Sequence, residues 1–279
     1  MTACLAALPV LGASIAQAQG TLRIGMTAAD IPLTNGQPDQ GFEGNRFTGI
    51  PLFDSLTMWD LSAADKPSVV IPGLATEWAV DANDKTRWVF RLRRGVKFHD
   101  GSDFNADAVV WNVRKVLDRD APHYDPRQVG VTATRMPTLR RAEKIDDYTV
   151  ALFTAEPDSL LPINLTNLFM ASPAQWNKMR ATSANAEAAW LAFARDPSGT
   201  GPFRLTRFVP RERVEYARND AYWTDKAKLE RVILLPIPEA NARTAALLSN
   251  QVDWIEAPAP DAIPQLRQRG MVITSNAQP

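Results

Sequence analysis

The sequence predicts a mixed α/β protein, and three observations carry that prediction. Arg87 to Leu117 reads as a strand, two glycine turns and a capped helix in immediate succession. Short strands with period-two alternation occur both before residue 155 and after residue 200. Among and beyond them lie stretches whose apolar residues recur at helical spacing, so sheet and helix are interleaved along the chain.

Thr21 to Met26 alternates as an opening strand, and Ala28 to Arg46, rich in Gly, Pro, Asn and Asp, reads as a long loop. Segments of that length without periodicity are uncommon and often functional. A helix is expected around Thr48 to Leu56, then a strand at Val69 to Ile71. In Arg87 to Leu92 the residues Trp88, Phe90 and Leu92 share one apolar face. Val96 and Phe98 resume the alternation after Arg94-Gly95, and His99-Asp100-Gly101 turns the chain again. Asn105 caps the next helix, Asp107 suits its positive end, and Val109, Val113, Val116 and Leu117 form its stripe. Leu139 to Ile145 and Tyr148 to Thr154 flank Asp146-Asp147 as a hairpin. Helices follow around Ser159 to Asn167, Pro173 to Met179 and Ala184 to Ala194, then strands at Phe203 to Phe208, Glu212 to Arg218 and Leu229 to Ile237. Glu239 to Leu248 is expected as a helix with Ala242, Ala245, Ala246 and Leu248 inward. A strand at Val252 to Ile255, a helix at Asp261 to Arg269 and a strand at Met271 to Thr274 complete the reading. There is no internal repeat and no Gly/Ser linker.

The 279 residues suffice for one large or two ordinary domains. Lys+Arg and Asp+Glu are both 31, so no basic excess points to nucleic acid or anionic lipid. The balance suits a soluble protein that binds a modest solute. Hydrophobic residues make up 45%, enough for a real core, in which most of the 8 Trp are expected. The single cysteine, Cys4, lies in an opening apolar stretch whose ending, Ala16-Gln17-Ala18, is a small-x-small cleavage signal. Residues 1–18 are therefore read as a signal peptide, too short for a membrane span. No Lys or Arg precedes Arg23, which points to a translation start upstream of Met1; Met1-Thr2-Ala3 makes a poor lipobox for Cys4. The mature chain would have no cysteine and need no disulfide in an oxidising compartment.

An enzyme needs a nucleophile, a base or a metal. There is no G-x-S-x-G elbow, no P-loop and no H-E-x-x-H. His99 and His123 are the only histidines, without a cysteine partner for a zinc set, and His99 reads as a structural turn residue. Asp146-Asp147 falls at a hairpin tip, where solvated turn residues belong. No catalytic residue, metal or cofactor is expected.

Trp88 to Val109, as WxFxLRxGVKFHDGxxFxAxxV, resembles the family-5 solute-binding proteins of ABC importers, the peptide- and nickel-binding group. Four further stretches resemble that family in the same order. They are Leu52-Phe53-Asp54-Ser55-Leu56; Gly73-Leu74-Ala75-Thr76-Glu77-Trp78, read as a turn; Gly199-Thr200-Gly201-Pro202-Phe203 with Asn219-Asp220-Ala221-Tyr222-Trp223; and Ile237-Pro238 to Ala246 with Gln251-Val252-Asp253. Together they span about residues 50 to 255.

The resemblance implies a periplasmic-binding-protein-like (type II, peptide-binding) α/β fold. Residues 19–58 and 160–279 would build a discontinuous first lobe, and 59–159 an inserted, mainly β subdomain. The second lobe that closes over the ligand in this family is missing, so the chain is read as a fragment. Ligand-facing positions implied are Phe42, Glu43 and Gly44, with a solvent-exposed turn as the alternative, then Glu256, Ala257 and Pro258, and Tyr124 from the insert. Trp254 is assigned to the core in preference to the pocket, and Thr200 to Phe203 to the scaffold, with Phe203 entering the core. The function implied is a monomeric periplasmic component that captures a small-molecule or peptide ligand and delivers it to an inner-membrane permease. Oligopeptides or dipeptides come first, with opines, oligosaccharides and nickel chelates behind. A secreted peptide or glycan hydrolase and a non-transporting sensor or chaperone lobe are the alternatives.

Overall fold

The computed structural model describes residues 20–34, 41–63 and 65–275, excepting the side chains of Gly41, Phe42 and 131–133. The expected signal peptide lies outside the described residues. In chain order the elements are β1 (Thr21–Met26), α1 (Gly41–Gly44), β2 (Thr57–Trp59), β3 (Val70–Pro72), β4 (Ala75–Val80), β5 (Arg87–Leu92), α2 (Ala106–Leu117) and α3 (Pro126–Arg135). They continue with β6 (Leu139–Asp146), β7 (Thr149–Thr154), α4 (Leu161–Asn164), α5 (Pro173–Thr182), α6 (Ala186–Phe193), β8 (Phe203–Val209) and β9 (Arg213–Arg218). The last are β10 (Arg231–Pro236), α7 (Ala240–Leu248), β11 (Trp254–Ile255) and α8 (Ile263–Gln268).

Two sheets organise the chain. The first runs β11-β1-β10-β9-β8, and β1 is parallel to both β10 and β11. Because α7 carries the chain from β10 across β1 to β11, three parallel strands end together on one edge. The second sheet, β4-β5-β7-β6, is antiparallel, and β2-β3 forms a separate ribbon. Beneath the first sheet Phe47, Phe53, Trp190, Tyr216 and Leu234 form one core. Under the second, Phe90, Leu92 and Leu152 meet Val109 and Val113 of α2 in another. The cap of α2 is as expected: the Ala108 N–H donates to Asn105 Oδ1 at 3.0 Å.

Several expectations are corrected. Helix forms at Gly41–Gly44 and continues as a π-helical turn over Asn45–Gly49, ahead of the expected Thr48 to Leu56. Leu52 to Leu56 is not helical because it is buried on all sides and its carbonyls serve other segments. Leu52 O accepts from Gly201 N–H, Asp54 O from Met170, Ser55 O from Leu74 and Leu56 O from Ala75. The Gly73 to Trp78 turn is instead the approach to and most of a strand, Ala75–Val80, registered on β5, and α3 has no counterpart in the sequence reading. Met271 to Thr274 makes no sheet pairing among the described residues, and Val272 is 90% exposed. On α7 the buried residues are Arg243, Thr244, Ala246 and Leu247, while Ala242 and Ala245 face outward. An arginine on the inner face is possible because loop carbonyls surround it, which helical periodicity does not register.

Asp54 binds the resembling stretches together. Its carboxyl, 3% exposed, accepts from Thr200 Oγ1 at 2.9 Å, Tyr222 Oη at 3.0 Å and Trp223 Nε1 at 2.7 Å. Burial raises its pKa despite these donors. Close by, the His99 N–H donates to Gly199 O at 2.8 Å, and Nε2–H donates to Gly201 O at 3.0 Å while Nδ1 faces the Gly199 N–H. Burial pulls the His99 pKa down to about 4, so the ring is neutral and structural. Glycine is required at residue 199, where a Cβ would lie 2.1 Å from Leu52 O. Phe203 is half-buried against the first core.

Asp54→Ala leaves the buried Thr200 donor and the half-buried Tyr222 and Trp223 donors unpaired and is expected to destabilise the protein by about 3–5 kcal/mol, at about 1–3 kcal/mol each with partial rehydration. Denaturant unfolding checks this, with Tyr222→Phe expected near 1 kcal/mol. On β5, Trp88 is half-buried whereas Phe90 is fully buried and stacks on Trp78 with centroids 6.3 Å apart. Phe90→Ala should therefore cost about 3–5 kcal/mol and Trp88→Ala less, as read by the same unfolding midpoints.

Candidate ligand site at the carboxyl edge

In open α/β sheets ligands settle outside the carboxyl ends of parallel strands. Here that edge is made by the residues after β1, β10 and β11. The backbone ties them: Ile237 N–H donates to Met26 O at 3.0 Å, and Glu256 N–H to Gly25 O at 3.3 Å. An open cleft of about 710 Å³ lies against this edge, lined by Arg46, Trp254, Glu256, Pro258, Leu266 and Met271 among others.

The structure brings Glu43 and Glu256 face to face although 213 residues separate them in sequence. Gly44 is buried directly behind Glu43 at the end of α1. Arg46 Nη1 pairs with Glu256 Oε1. Glu43 Oε2 and Glu256 Oε2 are both buried with no donor among the described residues. Ionised carboxylates can only accept, so the uncharged form of Glu43 is the one its buried surroundings favour. Burial, followed by the adjacent Glu256 carboxyl, raises the Glu43 pKa to about 7, against the lowering influence of Arg46 and Arg243.

Ala257 follows Glu256 in the left-handed region, with φ at 44°, and is exposed; Pro258 is half-buried. Phe42 lies in α1, but its side chain is outside the described residues. Gly41 to Asn45 is thus a helical turn and not a loop. Trp254 is 40% exposed, with its ring edge-on to Phe47 at 6.2 Å and the cleft beside it, which corrects its assignment to the core. A two-residue strand at the sheet edge leaves one face of that indole uncovered.

Tyr124 is half-buried in the turn between α2 and α3, where its N–H donates to Ala121 O. Among the described residues no hydrogen bond or ring contact joins it to Glu43 or Glu256. Its neighbour His123 stacks on Trp111 with centroids 4.3 Å apart, and Trp111 in turn meets Trp176 and Trp190. Among the described residues no group of three His, Cys, Asp or Glu is placed to hold a metal ion. No described helix is long and apolar enough to cross a membrane. A shallow depression of about 830 Å³ over the second sheet, lined by Glu77, Arg87, Arg91 and Arg94, contains none of the expected site residues.

Arg46 and Arg243 were not anticipated as parts of this site. Arg243 carried a signal, since it lies within the Ile237 to Ala246 stretch, and Arg46 a weaker one, as the last residue of the long Ala28 to Arg46 loop.

Residues 69–278 match the family model described as bacterial extracellular solute-binding proteins, family 5 Middle. The chain is 31% identical to Di/tripeptide-binding protein 2 of Pseudomonas aeruginosa, over 82% of this chain and 45% of that protein. It is 28% identical to the Dipeptide-binding protein of Escherichia coli, over 84% and 46% respectively. It thus spans about half the length of the curated relatives it matches. Its fold is similar to that of a dipeptide-binding protein from Pseudoalteromonas, solved in complex with Met-Leu. The TM-score there is 0.78 at 22% identity, covering 89% of this chain and 49% of the other. The architecture is the α/β, periplasmic-binding-protein-like one expected. With three quarters of its length matched by the family model, this chain is a member of the family 5 bacterial extracellular solute-binding proteins.

Proposed function

We propose that this chain forms the first-lobe portion of a periplasmic solute-binding component of an ABC importer, one that captures a dipeptide or oligopeptide and presents it to an inner-membrane permease. The observation that carries the reading is the meeting of the Glu43 and Glu256 segments at the carboxyl edge of β1 and β11, in a chain of this family. In this reading the lobe supplies one wall of the site. A solute desolvated against it favours closure of a second lobe by contacts made only in the closed form.

The carboxyl pair also raises a second reading, a hydrolase, because an acid with a displaced pKa beside a second carboxyl is what general acid–base chemistry uses. Its geometry argues against this. Glycoside hydrolysis needs carboxyls about 5 Å or more apart, whereas Glu256 acts on Glu43 at hydrogen-bonding range. Arg46 also occupies a Glu256 oxygen that would have to activate water. The proposal is therefore binding without bond making, by a monomer needing no cofactor.

Calorimetry with Met-Leu tests the reading, on this chain and on a version extended by a second lobe. Binding is expected to tighten about tenfold or more with the second lobe, since each 1.4 kcal/mol of added contact gives a factor of ten. Recovered Met-Leu is expected intact by mass spectrometry. Equal affinities or cleaved peptide would overturn the proposal.

A pH dependence follows from Glu43. Its folded pKa of about 7 lies above its ordinary 4.5, so the stability it contributes is complete below about 4.5 and is lost as pH rises through about 7. Glu43→Gln mimics the protonated form. It is expected to melt with the wild type near pH 4.5 and above it near pH 8, as read by melting temperatures across that range.

A further inference from the structure

We propose that Arg243 is the positioning residue of this site: its guanidinium clamps the Glu256-Ala257-Pro258 loop in the shape that holds Glu256 against Glu43 and Arg46. Arg243 is 3% exposed. Nε donates to Glu256 O at 3.0 Å and Nη2 to Ala257 O at 3.0 Å. Nη1 donates to Ile237 O at 2.8 Å and Pro238 O at 2.6 Å. One planar fork thus joins the segment after β10 to the segment after β11, reaching across the end of β1. Gly25 of β1 leaves the passage open: a Cβ there would stand 3.3 Å from Ile255 Cγ2 and 3.8 Å from Arg243 Cγ.

Two further observations show what the clamp holds. Ala257 is left-handed, a conformation unfavourable for a non-glycine residue that persists only where its surroundings determine it. Two of the four bonds land on Glu256 and Ala257. In addition, a guanidinium cannot shed its proton, and none of the four acceptors is a carboxylate. The charge of Arg243 is felt at Glu43, so the loop and the carboxyl pair share one electrostatic unit.

Lysine keeps the charge but has no planar fork for four separated carbonyls, and methionine keeps the stem alone. Arg243→Lys and Arg243→Met, both made in the full chain without ligand, test the clamp by amide hydrogen exchange and a 13C-carboxyl titration of Glu43. In both variants, peptides covering 253–259 are expected to exchange about tenfold faster while β8 and β9 keep wild-type protection. The Glu43 midpoint is expected to fall from about 7 toward its ordinary value, because burial and the Glu256 carboxyl outweigh the influence of Arg243. An arginine that merely stabilised the fold would leave that midpoint in place in Arg243→Lys and let it rise in Arg243→Met, where the charge is lost. Unchanged loop exchange, or a Glu43 midpoint that stays or rises, in either folded variant would overturn the proposal. The solute-binding reading supplies only the clamp's purpose. Failure of the wild type to bind Met-Leu would count against that reading and leave the ligand-free result on Arg243 standing.

Discussion

Burying the Asp54 carboxyl costs solvation free energy that only donors can offset, and the donors it has come from Thr200, Tyr222 and Trp223, roughly 150 residues downstream. That requirement draws the middle of the chain onto Leu52 to Leu56. Once there, the carbonyls of the same segment are satisfied by Gly201, Leu74, Ala75 and Met170. The turn at His99 is attached by its own ring to Gly199 and Gly201. Neighbouring sheets therefore meet along a seam of polar contacts instead of a continuous apolar face. Such a seam stays rigid only if every member has its partner.

The seam leaves the carboxyl edge of β11-β1-β10 free to carry the site. Parallel strands release their loops on the same side, and here those loops bring carboxyls, guanidinium groups and an exposed indole together. The balance at this edge is electrostatic. Arg46 and Arg243 favour the charged form of Glu43, while burial and the adjacent Glu256 carboxyl favour the protonated one. Where water is partly excluded, adding or removing one charged group shifts the whole set. A solute bearing its own charge would meet a surface already poised between two protonation states.

Much of the architecture was legible because it rests on short-range rules. Trp88, Phe90 and Leu92 alternate, and β5 runs from Arg87 to Leu92 as its pattern predicts. Asn105 is a capping residue by chemistry and caps α2. What was misread has long-range causes. Leu52 to Leu56 looks like a helix by composition, but its backbone groups are claimed by distant segments. Ala75 to Val80 carries no clean alternation and becomes a strand because β5 offers it an unpaired edge. Met271 to Thr274 has the residues of a strand and no edge to join among the described residues.

Alone, the sequence determined most of the local elements, the balanced charge and the family, since each depends on residue type and spacing within a few turns of chain. Tertiary structure alone decided that Glu43 faces Glu256, that Trp254 stays uncovered and that Arg243 turns inward. Those outcomes depend on how strands far apart in sequence stack edge to edge. Only that stacking sets which carbonyls and carboxyls a buried charge will find.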